Sequence, residues 1–332
     1  MNQPLESIAP QTAVDHYLRH REDDASDRTI QAHRYRLKQF VRWCDLSDLT
    51  DLNDLTGRRL YEYRMWRKED GQLKPVSLRT QLSTLRAFVR FCETIGAVNP
   101  DTHEEILLPP LEPSDEVREE LLQPDRAAQI RLYLERFDYA SRKHIIFELF
   151  WATSIRMGTL HSLDINDFDP EAQTLSIRHR PDEGTALKNR ERAERLLSLP
   201  ERTCAALTDW IEHIRPDVHD EYGRRPLVAT RNGRASQNHI RSLMYHITRP
   251  CYYAQHCACE DKYAYEYASK CPHSRSPHCL RKGSLTHLLK RDVPKEVVSD
   301  RADVSVSILD KHYNKMSKEE KMEQRRQYLD NI

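Results

Sequence analysis

The chain has 332 residues, of which 38% are hydrophobic and only eight are glycine, and its formal net charge is zero. Since one hydrophobic core seldom grows beyond about 250–300 residues, we expect two domains of a helix-rich globular protein. The sequence has neither the roughly 18-residue apolar run of a membrane helix nor an amino-terminal secretory pattern. We therefore expect a cytoplasmic protein that does not enter a membrane.

The first 110 residues predict a bundle of helices separated by polar turns. Helical spacing of apolar residues begins at Thr29, a second helix is expected over Gly57–Asp70, and a third over 77–95. Basic residues on the first and third helices are candidates for contact with nucleic acid: Arg34, Arg36, Lys38, Arg79 and Arg86. Proline and acidic residues follow, so 111–118 is expected to be a linker.

The second domain is expected over 119–332 and combines helices with a small antiparallel sheet. Two strands are predicted at 174–178 and 195–200, and Lys188 lies in the turn region between them. Helices are predicted over 201–214 and 236–249. The fold class is therefore mainly α, with an α+β second domain.

The segment 221–290 has twelve basic and four acidic residues, a surplus of +8 within a neutral chain. Such a surplus is typical either of a solvated face or of a surface for an anionic partner. The sequence leaves both interpretations open.

A further helix is expected to begin in the sequence Ser-Pro-His-Cys-Leu-Arg, which ends at Arg281. Proline favours the first turn of a helix, and a spacing of three places His278 and Arg281 on one face. A helix amino terminus with an arginine is suited to hold a phosphate. His287, later in the same stretch, is expected to pack structurally.

Three more residues complete a set of groups for phosphodiester chemistry without a metal. Arg156 follows an apolar helix, and an arginine donates two hydrogen bonds to phosphate while staying charged. Lys188 suits a general acid, because neighbouring cations and burial lower the pKa of a lysine. Tyr313 suits a nucleophile if cations stabilise its phenolate. Taken alone, Arg156 is more simply a surface side chain and Tyr313 a core side chain, so the indication comes from the set.

In this order and context, these residues resemble the tyrosine recombinase (phage integrase) family over nearly the whole chain. The resemblance implies a helical SAM-like core-binding domain over 1–110 and an integrase-type catalytic domain. It implies that Tyr313 attacks a DNA phosphate, that Arg156, His278 and Arg281 hold the charge, and that Lys188 protonates the leaving oxygen. It also implies double-stranded DNA as partner, a homotetramer on paired sites, and no cofactor for catalysis.

Two positions depart from the family pattern. Thr159 stands where an acidic residue often follows the first arginine, and Arg301 stands where a histidine or tryptophan is usual. An arginine donates to phosphate as those rings do, so Arg301 is expected to belong to the catalytic set, in a variant that resembles an archaeal branch. Tyr328 is the competing tyrosine. An inactive DNA-binding regulator on the same fold remains an alternative.

Eight cysteines in an intracellular chain favour thiols or metal ligands over disulfides. Cys44, Cys92 and Cys204 lie in apolar helical settings and are expected to be core residues. A Cys-rich insertion at 251–273 contains four candidate ligands for a structural Zn²⁺: Cys251, Cys257, Cys259 and Cys271. Free thiols in an irregular insertion, and a zinc-stabilised nucleic-acid-binding protein, remain the alternatives.

Overall fold

The computed structural model describes residues 4–112, 120–254 and 264–312, together with Glu319, Met322, Glu323 and Arg326. The chain forms two compact units, Met1–Arg118 and Glu119–Ile332. Each unit has its own apolar core. Within the described residues, no helix is both long and apolar enough to cross a membrane.

The first unit is a helical bundle. Its helices are α1 (Pro10–His20), α2 (Asp27–Leu46), α3 (Gly57–Asp70) and α4 (Pro75–Thr94). The α3 bounds are those predicted, because the Thr56 hydroxyl accepts from the Arg59 amide and begins the helix there. α2 and α4 each begin two residues before the predicted start, since Ser26 caps α2 and Pro75 occupies the first turn of α4.

The second unit begins with helices and a small sheet. Its first helices are α5 (Pro124–Phe137), α6 (Arg142–Thr153) and α7 (Met157–Ser162). The strands β1 (Phe168–Asp169), β2 (Thr174–Ile177) and β3 (Arg195–Ser198) form an antiparallel sheet in the order β1-β2-β3. Leu175 pairs with Leu197, and both side chains are buried. The two predicted strands are confirmed.

The remaining elements of the second unit are mainly helical. They are α8 (Glu201–Asp209), β4 (Ala229–Thr230), β5 (Gly233–Arg234), α9 (Gln237–Ile247), α10 (Pro250–Tyr253), α11 (Pro277–Lys290), α12 (Lys295–Ala302) and α13 (Val306–His312). A π-helical turn, Trp210–Ile214, continues α8 as far as predicted. The fold class, mainly α with a small antiparallel sheet, is confirmed.

The three cysteines expected in the cores are buried. Cys44 and Cys92 are each 1% exposed and Cys204 is 5% exposed, so this prediction is confirmed. Burial raises the pKa of Cys44 and of Cys92 to about 12. Both thiols are therefore protonated and unreactive near neutral pH.

α11 runs through the core of the second unit and leaves no room for a side chain at Gly283. A Cβ atom there would overlap the Leu122 carbonyl oxygen and approach the Trp151 ring at 3.3 Å. The neighbouring backbone is fixed as well, because the Leu122 amide donates to the Cys279 carbonyl at 3.0 Å.

Gly283→Ala is therefore expected to destabilise the protein by about 1–3 kcal/mol through overpacking. Gly158 is the matched control, since it is also helical but a Cβ atom added to it would have its nearest neighbour 4.0 Å away. Gly158→Ala is expected to be neutral or stabilising by up to about 1 kcal/mol. Urea unfolding of both variants measures the difference, and equal stabilities would contradict the close packing of α11.

Candidate active site

Arg156 lies at the junction between α6 and α7. Ser154 ends α6 in the left-handed conformation, with φ of 53°, and Arg156 is the residue before the first turn of α7. Its Nη1 donates to the Asp303 carboxylate, and its Nη2 donates to the Asp303 backbone oxygen at 2.6 Å. The junction therefore brings Arg156 to the end of α12, almost 150 residues away in sequence.

Arg281 joins the same two segments from α11. Its side chain is buried, and its Nη1 donates to the Ser154 carbonyl at 2.5 Å while its Nη2 donates to the Ala302 carbonyl at 2.8 Å. The Ser154 and Ser284 hydroxyls lie 2.6 Å apart and connect α6 with α11. His278 is exposed one turn before Arg281. The structure thus brings Arg156 and Arg281 to one place.

Lys188 is exposed in the loop between β2 and β3 and lines a cavity of about 630 Å³. The cavity is also lined by Arg156, by four further polar residues of the β2–β3 region, and by the end of α12 with the chain after it. Those four polar residues are Asn189, Arg192, Glu194 and Arg195. Cations from two segments, the α6–α7 junction and the β2–β3 region, therefore line one opening together with the acids Glu194, Asp300 and Asp303.

Ion pairs hold the base of the Lys188 loop. Arg180 donates to Asp167 at 2.6 Å, and Arg224 donates to the Glu183 carbonyl at 2.8 Å. Arg234 pairs at 2.5 Å with Asp164 and so fixes β5 to the start of this region. These contacts restrict the loop on which Lys188 lies.

The same contacts explain part of the +8 surplus of 221–290. Arg249, Arg281 and Lys282 are buried, and the Arg234 side chain is only 8% exposed. A good share of this charge therefore lies inside the unit, where it is paired with acids or backbone carbonyls. The positive surplus of 221–290 therefore forms neither a purely solvated face nor a purely external binding surface.

Arg301 lies beside the cavity rather than in its wall. Its Nη2 donates to the Ala152 carbonyl at 2.9 Å and to the Ser198 carbonyl at 2.8 Å, and burial lowers its pKa. Among the residues that the structure describes, α12 and the chain after it contribute Ser299, Asp300, Asp303, Val304, Ser305 and Ile308 to the wall. The guanidinium of Arg301 therefore connects α12 with α6 and β3.

The sequence reasoning missed Asp303 and Arg195. Arg195 lines the cavity and donates through Nε to the Arg301 carbonyl at 2.9 Å. Burial is the main cause that lowers its pKa. Only its place at the start of a predicted strand beside Lys188 could have drawn attention to it.

Tyr313 lies outside the described residues, and its predicted role as nucleophile stays a prediction. The helix α13 is described as far as His312, the residue before Tyr313. Ser305 and Ile308 line the cavity, and Leu309 is buried against Leu285 of α11. The chain that leads to Tyr313 is therefore packed at the cavity.

The candidate DNA contacts of the first unit fall into two groups. Arg34 and Lys38 are exposed on α2. The other three are half-buried and donate to neighbouring groups: Arg36 to the Thr84 hydroxyl at 3.0 Å, Arg79 to the Pro109 carbonyl at 2.7 Å and Arg86 to the Ile106 carbonyl at 2.5 Å. These three hold the bundle and the chain after α4 together.

The Cys-rich insertion is anchored at both ends. Arg126 donates to the Thr248 carbonyl at 2.7 Å and to the His273 carbonyl at 2.9 Å. Cys271 is buried and Cys251 is half-buried. The other two candidate ligands, Cys257 and Cys259, lie outside the described residues. In the part of the chain that is described, no group of three or more His, Cys, Asp or Glu residues could hold a metal.

Comparison with known families identifies both units. The model of the phage integrase family matches residues 120–320, and that of the phage integrase N-terminal SAM-like domain matches residues 14–94. The chain therefore belongs to the phage integrase family, as its motifs predicted. Among curated proteins it is similar to tyrosine recombinase XerD of Pseudomonas aeruginosa, with 25% identity over 277 residues that cover 83% of each chain. It is also 23% identical over 286 residues to tyrosine recombinase XerC of Psychromonas ingrahamii, covering 85% of this chain and 84% of the relative.

Solved structures share this fold at low identity. The Tn1549 transposon integrase in complex with a circular intermediate DNA has a TM-score of 0.68 and 14% identity, over 96% of this chain and 100% of that chain. A lambda integrase dimer bound to a core site has a TM-score of 0.60 and 14% identity, over 96% of this chain and 78% of that one. Both extend the integrase fold across the two units of this chain.

Proposed function

We propose that this protein is a site-specific DNA recombinase that cuts and rejoins double-stranded DNA through a 3′-phosphotyrosyl intermediate. One observation carries the proposal: Arg156, Lys188 and Arg281, distant in sequence, meet around the end of α12, where the chain leading to Tyr313 lines the cavity. The chain matches two curated tyrosine recombinases over most of their length.

The proposed reaction exchanges one phosphodiester for another. The Tyr313 hydroxyl releases its proton to solvent, its oxygen attacks the scissile phosphorus, and the bond to the 5′ oxygen breaks. Arg156 and Arg281, with His278, stabilise the negative charge that builds on the non-bridging oxygens. Lys188 gives its proton to the departing 5′ oxygen. The 5′ hydroxyl of a partner strand later attacks the phosphotyrosine and restores the phenol, so no external energy source is consumed.

Arg301 is proposed to support the active site as a cation that lies next to the cavity. It adds positive charge near the cavity and ties α12 to the carbonyls of Ala152 and Ser198. Because an arginine stays charged at physiological pH, this support does not depend on proton exchange. The departure from the usual histidine or tryptophan is thus compatible with strand cleavage.

The first unit, 1–110, is proposed to clamp the DNA as a core-binding domain joined by the linker 111–118 to the catalytic domain. Arg34 and Lys38, exposed on α2, would contact phosphates. Arg36, Arg79 and Arg86 would add positive charge while holding the bundle together. The Tn1549 and lambda integrases were solved with DNA bound, and we propose a cytoplasmic homotetramer on paired sites for this chain.

We further propose that the insertion binds a structural Zn²⁺ through its cysteines. Purified protein is expected to contain about one zinc ion per chain by elemental analysis. Cys271→Ser should remove the zinc, whereas Cys204→Ser, which alters a core cysteine in the same unit, should keep it. Zinc-free protein with unchanged thermal stability would contradict the proposal.

The function is tested with suicide DNA carrying a nick near candidate sites from the genomic flanks of the gene. A recombinase is expected to form a covalent adduct that survives a denaturing gel. The short piece of DNA between the cleavage site and the nick, which carries the 5′ hydroxyl, diffuses away before religation. Tight DNA binding without an adduct on substrates that contain the bound site would instead identify an inactive regulator. Binding that is lost with the zinc would favour a zinc-stabilised nucleic-acid-binding protein.

A further inference from the structure

Asp303 holds the Arg156 guanidinium by two contacts. One carboxylate oxygen accepts from Nη1, and the backbone oxygen accepts from Nη2 at 2.6 Å. The other carboxylate oxygen accepts from the Asn189 side-chain amide at 2.9 Å. A guanidinium has five N–H donors, so these contacts fix the plane of Arg156 and leave donors for a second anion.

The backbone at Asp303 does not need the carboxylate. Its φ of 52° ends α12 in the left-handed region, where the Val304 amide donates to the Ser299 carbonyl at 3.1 Å. Glycine is the residue usually found at such a helix end, and aspartate is among the few others that adopt this conformation as single residues. The helix end therefore does not require the carboxylate, which is available to hold Arg156.

We infer that Asp303 is a positioning residue for strand cleavage, which orients Arg156 towards the scissile phosphate and is itself held by Asn189. The inference rests on the proposed function of Arg156. In the family pattern an acidic residue often stands three positions after the first arginine, and here that position is Thr159. The inference gives the support of Arg156 to Asp303 instead. A phosphate would bind the donors of Arg156 that Asp303 leaves unused.

Another account of the same contact is a latch, in which the Asp303 carboxylate occupies the place of the phosphate. The two accounts predict opposite effects of removing the carboxylate. A latch slows cleavage until DNA displaces it, so its removal speeds the reaction and tightens DNA binding. A positioning residue gives slower cleavage at saturating DNA when it is removed, because Arg156 is no longer held in the reactive orientation.

The decisive variant is Asp303→Gly, because glycine accepts the left-handed corner and removes the carboxylate. Single-turnover adduct formation on saturating suicide DNA is expected to slow by about 10- to 100-fold. The melting temperature should be unchanged or higher, and DNA affinity nearly unchanged. Asp300→Asn removes a like charge from the same cavity and helix, and it should slow the reaction far less. Cleavage by Asp303→Gly at the wild-type rate or faster would overturn the inference.

A second measurement is independent of cleavage. In ¹⁵N-arginine spectra, Nη resonances assigned to Arg156 through their loss in Arg156→Lys should show restricted rotation, which disappears in Asp303→Gly. Unchanged Arg156 resonances in Asp303→Gly would overturn the inference even if the wild type formed no adduct. If the wild type formed no adduct but gave the expected spectra, the proposed function would be rejected, while the contact by which Asp303 holds Arg156 would stand.

Discussion

Tyr313→Phe is expected to abolish the covalent protein–DNA adduct and to leave DNA affinity unchanged. The substitution removes only the phenolic oxygen, which is the proposed attacking atom, so cleavage should fall by at least about 10⁴-fold. Binding should persist because the cations proposed to hold phosphate lie elsewhere: Arg156 and Arg281 in the second unit, Arg34 and Lys38 in the first. Denaturing gels with suicide DNA and fluorescence anisotropy measure the two effects separately.

Tyr328→Phe is the control for that experiment, since Tyr328 is the competing tyrosine in the charged terminal segment. It is expected to form the adduct at nearly the wild-type rate. An adduct that persists in Tyr313→Phe and disappears in Tyr328→Phe would identify Tyr328, and not Tyr313, as the nucleophile. Loss of DNA binding in Tyr313→Phe would show that the side chain supports the fold or the interface.

Arg281→Ala is expected to lose both cleavage and stability. The Ser154 and Ala302 carbonyls would each lose a hydrogen bond inside the unit, and each unsatisfied buried group costs about 1–3 kcal/mol. Cleavage should fall by at least about 10²- to 10³-fold, because a donor to the developing charge is removed. The melting temperature and single-turnover adduct formation measure these effects.

Arg281→Lys separates the two roles of Arg281. A lysine keeps the charge but lacks the planar fork that reaches both carbonyls at once. We expect a smaller loss of stability than in Arg281→Ala and a loss of cleavage of similar size. Full cleavage activity in Arg281→Lys would contradict a bidentate role and would reduce Arg281 to a source of charge.

Local chemistry explains which parts of the fold were predictable. Ser26 and Thr56 cap helices through their hydroxyls, and Pro277 opens α11, so the helix starts follow from short stretches of sequence. The alternation of Leu175 and Ile177 inward along β2 likewise defines a strand. Each of these signals acts within a few residues and needs no knowledge of the rest of the chain.

The candidate site was predictable only where a residue has a recognisable neighbourhood. Arg281 was found because the sequence around it is distinctive, whereas Asp303 sits in a stretch without such a motif. Its contact with Arg156 spans 147 positions and depends on a left-handed corner at the end of α12. The inward direction of Arg301, towards Ala152 and Ser198, also follows from tertiary packing that spacing does not encode.

The central claim is that Tyr313 becomes covalently joined to DNA in a site built by Arg156, Lys188 and Arg281. The most direct test is to digest the wild-type suicide adduct with trypsin and nuclease and to identify the modified peptide by mass spectrometry. Cleavage after Lys311 and Lys315 places Tyr313 in the peptide 312–315. A nucleotide on Tyr313 in that peptide is the predicted result. A nucleotide on any other residue, or unmodified 312–315 from a purified adduct, would contradict the account.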